Sequence, residues 1–279
     1  HYLGESHDKL PSSACINAGA KHGNGFFPTA YSPIPILNPN TGLRNIRTRG
    51  GSEALSQRLA LSEKLSSFFS ARFPDPQVKS YREFYDNTLR LLRSKDLDSF
   101  DLNKESSGMR EKYGMGKFGQ GCLLARRLVE TGVRYVEVST DGWDMHNNLE
   151  SEMEDLSPSL DQAYAALIAD LEARGLLDET LVVLATEFGR KPQYSGNGRG
   201  HYPICYSSVL AGGGVKRGYV YGSSDQDGAL PNDPVTVPDL HATIGWAAGL
   251  PLQEKYQTSS GRPFLVGGDK AKPVMGLFA

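Results

Sequence analysis

The sequence predicts a layered α/β fold with a largely parallel central sheet. From about residue 118 onwards, segments of helical periodicity alternate with short apolar strands, the order typical of parallel sheets covered by helices. The segment 181–185 is apolar, as in strands that are buried on both faces. A long helix at about 152–174 separates it from a strand at 134–139 and suits a right-handed crossover. We therefore expect those two strands to be parallel neighbours within one compact α/β/α domain, residues 1–279.

The N-terminal part of the chain shows a different pattern. Residues 1–50 are rich in Gly, Pro, Asn and Ser and have no sustained periodicity, so we expect an irregular segment packed on the domain. Apolar residues then recur at helical spacing, which predicts a helix from Ser52 to the prolines at 74 and 76 and a second helix at about 77–95. The remaining predicted elements are helices at about 118–130, 152–174 and 238–248, and strands at 134–139, 181–185, 207–211 and 218–222.

Composition and charge exclude several classes of protein. The 279 residues suit one large domain or two small ones, and a net charge of -2 provides no basic field for nucleic acid or an anionic membrane. No apolar run approaches the roughly 18 residues of a membrane-spanning helix. The three cysteines are far apart and form no CxxC pair, which excludes a zinc ribbon and a disulfide framework. We expect no nucleic-acid partner and no membrane span.

Metal-binding residue types follow the two neighbouring strands. Asp144 and His146 come after the first of them, and Glu187 comes directly after the second. His201 follows further along the chain. Because functional groups gather at the carboxyl ends of parallel strands, these four side chains are candidate ligands of a divalent ion such as zinc or manganese. The alternative is that Asp144 caps a helix and His146 is an ordinary surface residue.

Two arginines and a second Asp-His pair accompany these residues. Arg190 and Arg199, with Lys191, are candidates for holding a phosphate or sulfate anion, because guanidinium groups bind such oxyanions through paired hydrogen bonds. The alternative is ordinary surface charge. Asp239 and His241 lie in a predicted first helical turn, where Asp239 is more simply a cap and His241 more simply structural. No GxSxG, P-loop or GxGxxG motif is present, so a dinucleotide-binding fold has no support.

Several short motifs together resemble one known family. They are Gly142-Trp143-Asp144-Met145-His146, Glu187-Phe188-Gly189-Arg190, Gly198-Arg199-Gly200-His201 and Asp239-Leu240-His241, in this order along the chain. The family is catalogued as domain of unknown function 1501 and is grouped with the alkaline-phosphatase and sulfatase-like superfamily. The resemblance implies an alkaline-phosphatase-like three-layer α/β/α sandwich. It places Asp144, His146 and His201 at one metal site and Glu187 at a second.

The sequence also departs from the pattern of these relatives. Phe188 stands where the superfamily has His or Asn, so a second metal site loses a ligand, and Gly200 stands where the family usually has Asp. The chain begins at His1 without a targeting segment, and we expect that it lacks the N-terminal part in which the superfamily carries its nucleophile. We expect Phe188 and Trp143 to be packing residues beside the site.

The resemblance implies an exported, metal-dependent hydrolase of phosphate or sulfate esters, located in the periplasm or otherwise outside the cytoplasm. Its expected substrate is a small anionic ester or a sulfated or phosphorylated glycan, with Arg190 or Arg199 holding the anion. The expected cofactor is zinc or manganese, with calcium as an alternative. A second interpretation is a catalytically inactive member of the superfamily that serves as an exported binding or structural protein. The sequence predicts no particular oligomeric state.

Overall fold

The chain contains two compact units, each with helices and short strands. The computed structural model describes residues 9–18, 23–44, 46, 51–73, 75–258 and 261–279. The first unit consists of His1–Glu111 and Met115–Ser139, and the second of Lys112–Gly114 and Thr140–Ala279. The fold is mixed α/β, as the sequence predicts.

A small parallel sheet forms the centre of the first unit. Its strands are β1 (Ser13–Ile16), β2 (Ile34–Ile36) and β3 (Tyr135–Val138), in the order β2-β1-β3. Both pairings are parallel. Two of these strands lie in the first fifty residues, where the sequence predicted little regular structure. Pro35 fits because β2 is an edge strand, and an edge strand tolerates a residue without an N–H group.

Helix packing completes the first unit. The helices are α1 (Gly51–Arg72), α2 (Pro76–Leu92), α3 (Ser107–Tyr113) and α4 (Lys117–Glu130), close to the predicted bounds where helices were expected. The apolar side chains of α4 are buried, among them Leu123, Leu124 and Leu128. Gly121 lets α4 approach the sheet closely, because a Cβ atom there would lie 2.9 Å from Val138 Cγ1. This helix is therefore the main partner of β3 in the hydrophobic core.

A buried cluster of charges fastens α4 to the segment before α3. Glu105 accepts hydrogen bonds from Arg126 Nη2 at 2.9 Å and from Arg127 Nη1 at 2.5 Å. The Arg126 side chain is only 1% exposed and also pairs with Glu130. Burial raises the pKa of Glu105, but the hydrogen bond from Arg127 and the charge and hydrogen bond of Arg126 outweigh it. The net result is a pKa below the usual 4.5.

The second unit contains two helices and four pairs of short antiparallel strands among its described residues. The helices are α5 (Leu149–Ala173) and α6 (Val237–Ala247). The strand pairs are β4 (Val182–Leu184) with β7 (Val209–Ala211), β5 (Gly189–Arg190) with β6 (His201–Tyr202), β8 (Ser223–Ser224) with β9 (Pro231–Asn232), and β10 (Lys255–Gln257) with β11 (Pro263–Leu265).

Two predictions about the strands are wrong. Among the described residues the strands at 134–139 and 181–185 do not pair with each other: β3 belongs to the sheet β2-β1-β3, and β4 pairs antiparallel with β7. The early segment Ser13–Ile16, which the sequence predicted as irregular, supplies the parallel partner of β3 instead. The predicted strand at 218–222 is also missing from the described residues. Gly218 and Gly222 both have positive φ angles, which an extended strand does not adopt.

The sequence predicts no membrane-spanning helix. Among the described residues, every helix is either too short or too polar to span a bilayer.

The Glu105 cluster generates a stability prediction. Replacing Glu105 by Gln removes the negative charge that is paired with two arginines, one of them fully buried, and should lower the free energy of unfolding by about 2–3 kcal/mol at neutral pH. The folded pKa of Glu105 lies below its unfolded value, so its contribution is present above about pH 4.5 and is lost as the pH falls through the folded pKa. Urea denaturation of the wild-type and Glu105→Gln proteins at several pH values measures this difference.

The matched control is Glu63→Gln, which changes an exposed carboxylate on α1. It should leave the free energy of unfolding within about 0.5 kcal/mol of the wild-type value. Equal effects of the two substitutions, or a difference that grows towards acidic pH, would contradict the role given to Glu105.

Candidate metal centre

A short antiparallel ribbon positions two of the predicted functional residues. In the pairing of β5 with β6, Arg190 lies directly opposite His201, and Gly189 lies opposite Tyr202. A further hydrogen bond from the Lys191 N–H to the Gly200 carbonyl, 3.0 Å long, continues the ribbon. Residues directly opposite one another in such a pair have neighbouring side chains on the same face. The ribbon therefore brings Arg190 and His201 together although the sequence separates them.

The loop that leads into α5 is held against the turn before β6. The Arg199 N–H donates to the Met145 carbonyl at 3.1 Å, and the Leu149 N–H donates to the Asn197 carbonyl at 3.0 Å. Gly198 touches the loop backbone itself, because a Cβ atom there would lie 2.1 Å from the carbonyl carbon of His146. Any other residue at 198 would therefore displace the loop. The contact fixes His146 relative to the ribbon.

Three ligand-type atoms converge where the loop meets the ribbon. Asp144 Oδ1 lies 2.9 Å from His201 Nε2 and 3.1 Å from His146 Nε2. The two imidazole Nε2 atoms are 3.0 Å apart. Among the residues that the structure describes, these three form the group of His, Cys, Asp or Glu side chains suited to one metal ion, and all three are exposed. The atoms form a nearly equilateral triangle.

The triangle has the dimensions of a metal site. Ligand atoms that bind one zinc-sized ion at about 2.0–2.2 Å lie roughly 3–3.5 Å from one another, and the three distances of 2.9, 3.0 and 3.1 Å lie just below or at the lower end of that range. The alternative for Asp144, that it caps a helix, does not describe the structure, because the N-cap of α5 is Asn148. Two imidazole nitrogens and one carboxylate oxygen are donors that divalent transition metals accept.

Arg190 holds the carboxylate of this triangle. Its Nη2 atom donates to Asp144 Oδ1 at 2.5 Å and to the Trp143 carbonyl at 3.4 Å, while Nη1 donates to the Arg199 carbonyl at 3.2 Å. The hydrogen bonds from His201 and then from Arg190 lower the pKa of Asp144 to about 2. Asp144 therefore carries its negative charge at any pH near neutrality. Arg190 is engaged with the site's own atoms, so it acts on the carboxylate as a positioning residue.

Aromatic side chains lie beside the triangle. The ring of Phe188 packs against the His201 ring with 4.3 Å between centroids, and the His146 and His201 rings are 4.7 Å apart. Phe188 thus packs next to the site, as expected from the sequence. Trp143 is half-buried, and its backbone carbonyl contacts Arg190.

The structure separates two predicted site residues from the triangle. Glu187 is exposed and is not a member of the three-residue group, so three of the four candidate ligands meet. Arg199 donates from Nη2 to the Pro192 carbonyl at 2.6 Å, and its guanidinium lies 5.9 Å from the centroid of the Tyr194 ring. Its role in holding an anion stays a prediction.

The Asp-His pair at the start of α6 has a structural explanation. Thr236 is the N-cap, and Asp239 is the third helical residue of a capping box in which each side chain bonds the other's backbone. The Lys272 N–H also donates to Asp239 Oδ1 at 2.8 Å. Asp239 therefore has a structural role as the third helical residue of the capping box, and Thr236 is the N-cap residue. His241 is exposed and lies outside the three-residue group.

Sequence reasoning missed two features of the site. One is the pairing of Arg190 with Asp144, which needs the β5–β6 register and has no local signal. The other is the requirement for glycine at position 198. The alternation Gly198-Arg199-Gly200 immediately before His201 is a signal for it, because glycines beside a candidate ligand often mark a close backbone approach.

Comparisons with known proteins give a family without an assigned activity. A family model described as "Protein of unknown function (DUF1501)" matches residues 1–278. No curated protein matches the chain, and no solved structure matches it.

The Gly198 contact generates a prediction with a matched control. Gly198→Ala places a methyl group on the His146 peptide, so it should cost about 1–3 kcal/mol of stability and weaken Zn²⁺ binding at least ten-fold. Gly200→Ala meets only Lys191 Cδ at 3.6 Å, an ordinary contact, and should leave Zn²⁺ binding near wild type. Thermal unfolding and isothermal titration with ZnCl₂ measure both effects. If the two variants had the same stability and the same Zn²⁺ affinity, the claim that the Gly198 contact fixes the position of His146 would be contradicted.

The Arg190 hydrogen bond predicts a change in the titration of Asp144. Replacing Arg190 by Gln removes a donor that stabilises the charged carboxylate, so the pKa of Asp144 should rise from about 2 towards 3.8 in metal-free protein. Carbon-detected NMR titration of the Asp144 carboxyl group measures it. Arg199→Gln is the control, because the Arg199 side chain donates to Pro192 instead. An unchanged Asp144 pKa in the Arg190 variant would show that this contact is absent in solution.

Proposed function

The chain belongs to the family described as "Protein of unknown function (DUF1501)", and on that premise we propose that it is a metal-dependent hydrolase of phosphate or sulfate esters. The observation that carries the proposal is the triangle of Asp144 Oδ1, His146 Nε2 and His201 Nε2, with sides of 2.9–3.1 Å. The motifs that resemble the alkaline-phosphatase and sulfatase-like superfamily are the further support. Membership of that superfamily and its three-layer sandwich are part of the proposal.

The convergence of these atoms favours a bound cation. A neutral imidazole has one N–H donor and one acceptor, so two Nε2 atoms that approach both each other and one oxygen cannot all form good hydrogen bonds. If both donate to Asp144, the two N–H groups face each other at close range. A cation bound by all three lone pairs removes this conflict.

The donor set suits zinc or manganese better than calcium. Calcium prefers oxygen ligands throughout, whereas two of these three donors are imidazole nitrogens. When bound, the ion would supply Lewis-acid activation of an ester and stabilise the negative charge that develops during its hydrolysis. Asp144, held in its charged form by Arg190, supplies the anionic ligand, and His146 and His201 supply the neutral ones.

Exposure of the triangle favours a substrate that approaches from solvent. The side chains of Asp144, His146 and His201 are 62%, 47% and 45% exposed. A small anionic ester, or an ester group on a sulfated or phosphorylated glycan, fits such an open site. Because Arg190 is engaged with Asp144 and Arg199 with the Pro192 carbonyl, the exposed Lys191 is the group that we propose to hold the anion. The resemblance supports a periplasmic or otherwise exported location.

A second candidate is a metal-binding protein without turnover. Phe188 packs on His201 at the position where the superfamily has a His or Asn ligand, and Glu187 lies outside the triangle. The described residues therefore offer one ion site of this type. A single-ion protein of this kind would serve as an exported binding or structural protein, and it would bind metal without hydrolysing esters.

Metal binding and turnover can be tested on the same set of variants. His146→Ala and His201→Ala should each weaken binding of Zn²⁺ or Mn²⁺ at least about 100-fold, because each removes a direct ligand. Isothermal titration measures the affinity, and circular dichroism should show an intact fold. His241→Ala, which changes an exposed histidine elsewhere in the same unit, should bind metal as the wild type does.

Turnover of p-nitrophenyl phosphate and p-nitrophenyl sulfate with added Zn²⁺ or Mn²⁺ then separates the two candidates. The hydrolase proposal predicts turnover by the wild type and by His241→Ala, and its loss in His201→Ala. Metal binding without turnover of either ester would favour the binding protein. Wild-type affinity in both ligand variants would overturn the metal site itself.

A further inference from the structure

A cavity of about 460 Å³ lies in the second unit and shares no residue with the triangle. Three parts of the fold line it, namely the segment before β8, the segment that joins β9 to the start of α6, and residues 270–276. Its volume is within the range of ligand-binding cavities, which is roughly 300–1,000 Å³. The cavity is therefore large enough for a ligand of its own.

Hydrogen bonds to α6 hold the wall of the cavity that carries Lys272. The Lys272 N–H donates to Asp239 Oδ1 at 2.8 Å, and the Val274 N–H donates to the Thr243 hydroxyl at 2.9 Å. Thr243 is fully buried, and Asp239 is fixed by the capping box of α6. This wall is therefore in place before any ligand arrives, and a site formed in advance loses less conformational entropy upon binding.

A second wall of the cavity carries the aromatic ring of Tyr221. Tyr221 stands two residues before β8 and Pro234 two residues after β9, so the pairing of β8 with β9 holds both. The Tyr221 ring lies over Gly276, because a Cβ atom there would be 3.8 Å from Tyr221 Cε2. The Tyr221 residue is still 42% exposed. The cavity is therefore lined by an aromatic ring that is supported by the backbone and accessible to a ligand.

Two lysines give the cavity a positive charge. Lys270 and Lys272 both line it and are exposed, and neither forms a salt bridge with a described residue. Among the described residues, Asp239 is the carboxylate that lines the cavity, and its two oxygens already accept hydrogen bonds from the capping box and from the Lys272 N–H. Asp233 and Asp269 are close in sequence but do not line it. Two cations against one carboxylate favour an anionic ligand.

An aromatic ring beside two cations suits a charged sugar. The C–H groups on one face of a pyranose ring pack against an aromatic ring, and lysine ammonium groups bind the oxygens of a sulfate or phosphate group as point charges. We propose that this cavity binds a sugar residue that carries a sulfate or phosphate group, with Tyr221 against the sugar ring and Lys270 and Lys272 on the anion. The site goes beyond the proposed hydrolysis, because binding here needs neither the metal ion nor turnover.

The test is an NMR titration of the full, EDTA-treated chain with galactose 6-sulfate at low salt. Saturable binding with a Kd of about 1 mM or below is expected for an open site with few contacts. Galactose 6-phosphate should bind with similar affinity. Galactose should bind at least about ten-fold more weakly because it lacks the anion, and inorganic sulfate at least about five-fold more weakly because it lacks the ring.

Variants of the cavity identify the groups that bind. Lys270→Gln combined with Lys272→Gln should weaken binding of galactose 6-sulfate at least about ten-fold, and Tyr221→Ala at least about five-fold. Tyr221→Phe keeps the ring and should stay within about two-fold of the wild type. Lys255→Gln, which removes an exposed lysine from β10, should bind as the wild type does. Circular dichroism should show an intact fold in each variant.

Several results would overturn this site. One is the absence of saturable binding of galactose 6-sulfate up to about 20 mM. Another is wild-type affinity in the double lysine variant, since another surface would then bind the anion. Equal affinity for galactose or for inorganic sulfate would show that the anion or the sugar is not recognised. EDTA removes metal ions from these titrations. Ester turnover without binding here would therefore overturn this inference alone, and binding here without turnover would overturn only the proposed hydrolysis.

Discussion

The candidate site depends on one backbone contact, the approach of Gly198 to the peptide that follows His146. With no Cβ atom at position 198, the loop before α5 and the turn before β6 come close enough to share hydrogen bonds on both sides of the contact. His146 is then fixed on the loop, and the β5–β6 register fixes His201 beside Arg190. No single helix or strand carries all three ligand atoms. They come together because the loop before α5 contacts the turn before β6.

The electrostatic balance of the site follows from that geometry. Asp144 Oδ1 receives a hydrogen bond from Arg190 and lies within about 3 Å of both imidazoles, which keeps the carboxylate charged. The positive charge of Arg190 and the hydrogen bond from His201 stabilise the charged carboxylate. A cation held by Asp144, His146 and His201 would stabilise it further, with Arg190 orienting Asp144. Arg190 therefore positions the Asp144 carboxylate, whereas the sequence suggested that Arg190 binds an anion.

Sequence signals that act over a few residues predicted the helices well, whereas the pairing of distant strands was not predicted. Helices α1, α2, α4, α5 and α6 were predicted close to their observed bounds, because glycine, proline and apolar periodicity act over a few residues. Asp144, His146 and His201 were found from residue type and from their position after predicted strands. The pairing of β3 with β1 was missed, because β1 is four residues long and more than a hundred positions away. The separation of Glu187 from the triangle likewise depends on tertiary geometry.

The central claim is that Asp144, His146 and His201 bind one metal ion, and anomalous diffraction tests it most directly. Crystals of the full chain grown with Zn²⁺ or Mn²⁺ should show an anomalous peak about 2.0–2.3 Å from Asp144 Oδ1 and from both Nε2 atoms, with Arg190 still bonded to Asp144. A peak held by other residues would contradict the account. So would a metal-soaked crystal in which His146 and His201 point away from each other.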